Sequence, residues 1–129
     1  MARILLIDPH LGSGRSTARL LACEGYQVVL AGSAVEAMGA LYLHEFDMML
    51  MDPALPDMQG AEFLDRLCDE PAWAECPVMI ISPSSFNRTL WRTAGADLRE
   101  WFVKGGFSGG ELMEAVQRHL SGQRMPSLN

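Results

Sequence analysis

Asp47-Met48-Met49-Leu50-Met51-Asp52-Pro53-Ala54-Leu55-Pro56-Asp57-Met58-Gln59-Gly60 is the stretch on which the fold turns. It opens with an unbroken apolar run and continues in turn formers. A short continuous run of this kind, without polar alternation, reads as a strand buried on both faces, the pattern of a parallel sheet. Methionine is a weak strand former, so the reading leans on similar runs elsewhere. These are Ile4-Leu5-Leu6-Ile7, Val28-Val29-Leu30, Val78-Met79-Ile80-Ile81 and Trp101-Phe102-Val103.

Helical spacing fills the intervals between the runs. Val35, Met38 and Leu41/Tyr42 form one apolar face, and Phe63, Leu64 and Leu67 another. Leu112, Ala115, Val116, His119 and Leu120 follow the i, i+3, i+4, i+7, i+8 pattern. Ser33 with Glu36, and Ser108 with Glu111, have capping-box spacing. Gly25 and Gly95 stand where helices should end. Two further helices are expected at about 15–24 and 86–94. Strand and helix thus alternate through five βα units. Right-handed crossovers turn that order into a parallel sheet covered by helices on both faces. For one domain of this size the expectation is a doubly wound, flavodoxin-like α/β fold with strand order 2-1-3-4-5. It should span 1–121, with 122–129 as a polar tail or the start of a linker.

Composition narrows the functions. The chain has 129 residues and a net charge of -6, which argues against a direct nucleic-acid surface or an anionic-membrane patch. The apolar runs are too short to span a bilayer, and the N-terminus lacks signal-peptide architecture. Cys23, Cys68 and Cys76 form no C-x-x-C pair and read as small apolar residues in a reducing, cytoplasmic setting. Nine arginines accompany a single lysine, Lys104.

In such sheets ligands bind beyond the carboxyl ends of the strands. Those ends carry Asp8, Asp52, Ser82 and Lys104, one from each of four strands. Any one alone could be a turn cap or a solvated strand end. Together they place two carboxylates, a hydroxyl and a compact ammonium on one rim, and the sole lysine suits a point-charge role.

At these positions the chain resembles the receiver domain of two-component response regulators. The matching stretches are Ile4-Leu-Leu-Ile-Asp8, Asp47 through Gly60, Pro77-Val-Met-Ile-Ile-Ser82, Ala94-Gly-Ala96 and Trp101-Phe-Val-Lys104. The resemblance implies that Asp52 accepts a phosphoryl group, and that Ser82 and Lys104 bind its oxygens. It implies a metal set of Asp8, Asp52 and the backbone carbonyl of Ala54, with Mg²⁺ as the ion. Trp101 falls at the aromatic switch position, at the edge of an expected partner surface. The implied partners are a sensor histidine kinase or phosphotransfer protein upstream and an output protein or fused output domain downstream. Beyond self-phosphorylation no enzymatic activity is expected.

Departures from the family pattern cluster at the pocket. Pro9 stands where a second acidic residue, the direct metal ligand, is usual. One unit charge about 4 Å from a cation is worth roughly 4 kcal/mol per cation charge at an effective dielectric of about 20, so Mg²⁺ binding and phosphorylation should be weak. His10 is a poor substitute, since Mg²⁺ prefers oxygen. Gly105-Gly106 replaces the usual proline after the lysine and should loosen that loop. Pro83 and Pro53 flank the site as well. A second reading is therefore a phosphorylation-independent pseudo-receiver, working as an interaction module. A third takes Gly12-Ser-Gly14-Arg15-Ser16-Thr17 as a phosphate-binding loop, although Arg15 stands where that motif needs lysine.

Overall fold

The computed structural model describes residues 2–82 and 97–121. The expected helix at about 86–94, Pro83, the Ala94-Gly95-Ala96 stretch and the tail 122–129 lie outside the described residues. The elements are β1 (Arg3–Ile7), α1 (Leu11–Cys23), β2 (Gln27–Ala31), α2 (Ala34–Leu43), β3 (Met48–Met51), α3 (Gly60–Cys68), β4 (Pro77–Ser82), β5 (Asp97–Val103) and α4 (Gly109–Leu120). The strands form one parallel sheet in the order β2-β1-β3-β4-β5.

Two cores explain why the strand runs are continuous. Leu5, Ile7, Met49, Met51, Val78 and Ile80 point to one face of the sheet and pack against α2 and α3 through Ala37, Leu41, Phe63, Leu64 and Leu67. Ile4, Leu6, Met48, Leu50, Met79 and Ile81 point to the other, against Leu21 of α1 and Leu112, Ala115 and Val116 of α4. All four residues of β3 are buried, and the strand lies between β1 and β4. Burial on both faces overrides the low strand propensity of methionine, whose flexible thioether fills the space left by its neighbours.

Two helices differ from the sequence reading. The face of α2 turned to the sheet is Ala34, Ala37, Ala40 and Leu41, whereas Val35 and Tyr42 are exposed. Small residues let the helix approach the sheet closely, so the alanines outcompete the larger side chains for the inner face. The second correction is α1, which begins at Leu11, four residues before the expected start. The Gly12–Thr17 segment therefore lies inside a helix, and the loop that a phosphate cradle requires is absent there. Gly25 ends α1 in a positive-φ conformation, as expected.

The caps divide in the same way. Ser108 and Glu111 form a complete capping box at α4. At α2 the Ser33 hydroxyl accepts from the Glu36 N–H, but the Glu36 carboxylate accepts from the N–H of Gly32. Both oxygens of Asp57, from the loop after β3, accept from Ala34 and Val35 N–H at 2.9 and 3.0 Å. These two bonds, Ala34 first, hold the Asp57 carboxyl below the usual aspartate range. The N-terminus of α2 is thus tied to the loop that follows Asp52. At the far end of the fold, Glu100 of β5 accepts from Arg118 and sits 2.8 Å from the half-buried His119 ring, fastening α4 to the sheet.

Candidate functional site

Parallel register brings the strand ends together. Ile7 pairs with Met51, and Met51 with Ile80, so Asp8 and Asp52 emerge side by side on one rim. Ser82 ends β4 opposite Val103, and its carbonyl accepts the Lys104 N–H at 2.7 Å. Each aspartate is anchored by its own N–H, Asp8 to the Ala31 carbonyl and Asp52 to that of Ile7.

Both aspartates precede proline, and both form the same turn. A residue before proline is held extended, and proline has no N–H to give. The next N–H is then the first available donor. His10 N–H donates to Asp8 Oδ1 at 2.8 Å, and Ala54 N–H donates to Asp52 Oδ1 at 2.9 Å. Aspartate commonly bonds its own backbone two residues on. Here the effect is to aim both Oδ2 atoms in one direction.

Lys104 meets them there. Its Nζ donates to Asp8 Oδ2 at 3.0 Å, Asp52 Oδ2 at 2.9 Å and Ser13 Oγ at 3.1 Å. An ammonium has three N–H donors, and all three have acceptors. Side-chain exposure is 22% for Lys104, against 5% for Asp8 and 1% for Asp52. Burial pushes the lysine pKa down, but the bonds to Asp52 and Asp8 and the charges behind them outweigh it and hold Lys104 above its usual value.

The backbone after Lys104 is a closed turn. Gly106 N–H donates to the Val103 carbonyl at 2.9 Å, and Gly105 has φ +82°. That third turn position requires positive φ, which glycine adopts without strain. The expectation that Gly105-Gly106 loosens the loop is corrected: the pair builds the tight turn that delivers the ammonium.

Ser13 was missed by sequence reasoning. Its hydroxyl donates to Asp8 Oδ2 at 2.7 Å while accepting from Lys104. The signal was available. A helix capped at His10, with Asp8 turned back on the His10 N–H, puts the residue five positions after Asp8 in the first turn, over the strand end. Starting the helix at 15 hid it. His10 is exposed at the mouth, with Nε2 4.0 Å from Asp52 Oδ2.

The other expected residues are placed as follows. Ser82 is fully buried at the same rim. Trp101 lies outside the pocket, half-buried against the core on the α2–α3 face. Ala54 is exposed and forms an isolated bridge with Gln59 that pins the loop beside Asp52.

As arranged, these residues fit a divalent cation poorly. Mg²⁺ requires close to six oxygen ligands in octahedral array. Each of the four carboxylate oxygens here already accepts a hydrogen bond, and both Oδ2 atoms face the ammonium. Among the described residues, no three His, Cys, Asp or Glu side chains gather in a metal-holding group.

Comparison with known proteins agrees with the architecture. Residues 4–117 match the family model for the response regulator receiver domain. The transcriptional regulatory protein KdpE of Mycobacterium tuberculosis is 32% identical over 99 residues, covering 75% of this chain and 42% of that protein. The chain thus spans less than half the length of that relative. A CheY-like response regulator receiver domain protein from Methanospirillum hungatei superposes with a TM-score of 0.83 at 27% identity, covering 95% of this chain and 96% of the other. The receiver domain of sensor histidine kinase PA1611 from Pseudomonas aeruginosa, which has a magnesium ion coordinated in its active-site cleft, shares the fold at 21% identity with a TM-score of 0.81, over 93% of this chain and 98% of that one. With the strand order, the acidic rim and a family match over nearly the whole chain in agreement, this protein belongs to the response regulator receiver domain family.

Proposed function

We propose that the chain is the phosphoacceptor module of a two-component phosphorelay, with Asp52 as the acceptor. An Asp52 oxygen attacks phosphorus as the bond from phosphorus to the donor's leaving atom breaks. The transferred group brings negative charge, which the Lys104 ammonium offsets and the Ser82 hydroxyl can bind. The observation that carries this reading is the pairing of a buried carboxylate, Asp52, with a lysine Nζ 2.9 Å away at a strand-end rim.

The donor is a sensor histidine kinase or a phosphotransfer protein. The signal passes by protein contacts, with Trp101 at the edge of the partner surface, to an output protein or a fused output domain. Work of this kind is signalling, not turnover, and we place it in the cytoplasm. Among the described residues no helix is long and apolar enough to cross a membrane. Mg²⁺ assistance is weak, because Pro9 adds no carboxylate to Asp8 and Asp52. A second reading, a phosphorylation-independent pseudo-receiver, is favoured by that same poor fit to a metal.

Incubation with acetyl phosphate and excess Mg²⁺, followed by intact mass, separates the two. Slow incorporation of one phosphoryl group, lost in Asp52→Asn, supports the acceptor. Folded protein that gains no mass at saturating Mg²⁺ supports the pseudo-receiver.

A further inference from the structure

The ammonium of Lys104 sits between two carboxylates, in the kind of place a cation would occupy, and its third partner is a neutral hydroxyl from α1. That hydroxyl has three polar contacts, the longest to the His10 carbonyl oxygen at 3.3 Å, and its two shorter bonds run in opposite senses. It donates to Asp8 Oδ2 at 2.7 Å and accepts from Lys104 Nζ at 3.1 Å. A hydroxyl is suited to this, being one donor and two acceptor lone pairs. Hydrogen bonds with an ionised partner are the stronger ones, and a connected set restrains each member. Asp8 is held twice over, by the His10 N–H on Oδ1 and by Ser13 and Lys104 on Oδ2.

We propose that Ser13 is a positioning residue: its hydroxyl completes a three-acceptor cradle that seats the Lys104 ammonium between Asp8 and Asp52, so that the pocket carries its own cation and a divalent ion binds only by displacing it. The proposal deepens the receiver reading and rests on it for one point, that a metal would enter at this rim. The missing acid at position 9 and the hydroxyl at position 13 are then linked. Without a third carboxylate, the pocket's two negative charges are met by one well-seated lysine. Losing the Ser13 hydroxyl would leave one lysine donor without its acceptor, which eases displacement.

The test is a Mg²⁺ titration of the whole chain, followed through the backbone amide NMR signals of Asp8 and Ala54. Ser13→Ala should bind Mg²⁺ about fivefold more tightly than the native chain, equal to about 1 kcal/mol. Ser13→Thr, which keeps a hydroxyl, should stay near native affinity. Lys104→Gln should bind more tightly still, and adding Ser13→Ala to it should change affinity less than about twofold, since Ser13 acts through the lysine. Unchanged or weaker binding in Ser13→Ala overturns the proposal. So does a full Ser13→Ala effect in the Lys104→Gln background, which would assign Ser13 to Asp8 alone. A second readout needs no metal. In urea unfolding with EDTA, Ser13→Ala should lower stability less in the Lys104→Gln background than in the native chain; equal losses count against the cradle. If Lys104→Gln does not fold, the sign of the Ser13→Ala effect on Mg²⁺ decides. Phosphorylation of Asp52 enters neither readout, so the cradle can fail while the receiver reading stands.

Discussion

Asp8 and Asp52 are built alike and engaged differently. Each follows a run of four buried strand residues, precedes a proline, turns Oδ1 onto the N–H two residues ahead and offers Oδ2 to the same ammonium. The local chemistry of Asp-Pro-X determines that much twice. The neighbours make the difference. Asp8 Oδ2 also accepts from Ser13 at 2.7 Å, whereas Asp52 Oδ2 lies 4.0 Å from Nε2 of the exposed His10. One aspartate is tied by Ser13 into the first turn of α1, and the other, still more deeply buried, lies beneath the exposed His10 ring. On the proposed reading, identical turns yield a structural carboxylate in Asp8 and the phosphoacceptor in Asp52.

The strongest test of that contrast is phosphorylation itself. With acetyl phosphate and intact mass as the readout, Asp52→Asn should abolish incorporation, while Asp8→Asn should slow it and leave it measurable. Equal loss in both would erase the distinction.

Removing the shared partner comes next. Lys104→Met leaves two buried carboxylates facing each other. Breaking a buried ion pair costs about 3–5 kcal/mol; with the ammonium one-fifth exposed, we expect about 2–3 kcal/mol by urea unfolding at neutral pH. The pH dependence has a definite sign. A lysine whose folded pKa is raised stabilises fully below its unfolded pKa and loses that contribution as pH rises through the folded value. The alkaline fall in stability should therefore be shallower in Lys104→Met than in the native chain.

Adding a carboxylate sharpens the same comparison from the metal side. Pro9→Asp should raise Mg²⁺ affinity at least about tenfold, or about 1.4 kcal/mol, read by amide chemical shifts. Tight Mg²⁺ binding by the native chain would contradict the weak-metal reading.

The smallest effect is expected beyond the pocket, at the loop after Asp52. The Asp57 carboxyl is held below its usual range, so its contribution is complete above the unfolded aspartate pKa and is lost as pH falls through the folded value. Asp57→Asn should flatten the acid limb of the stability profile and leave the alkaline limb unchanged. Thermal unfolding across pH 2–6, roughly the carboxylate range, reads this directly.

Much of the architecture was legible because it depends on patterns a single chain carries. Continuous apolar runs required burial on both faces, alternation required crossovers, and the crossovers required a parallel sheet whose carboxyl ends share a rim. Asp8, Asp52, Ser82 and Lys104 followed as residues of that rim, and Ser108 with Glu111 as a complete cap. What failed depended on competition between distant groups. Val35 and Tyr42 fit the helical period of α2, yet alanines took the inner face because closeness to the sheet decides it. Gly105-Gly106 carried a signal for freedom, but a hydrogen bond to Val103 turned that freedom into one fixed turn. Ser13 looked like part of a glycine-rich loop until Asp8 bonded the His10 N–H and α1 began at Leu11. The sequence by itself therefore determined the fold, the rim and the identity of its charges. Only the tertiary structure decided which carboxylate is tied down and what seats the lysine. Those choices rest on hydrogen bonds about 3 Å long between residues up to 96 positions apart, a distance that no local pattern encodes.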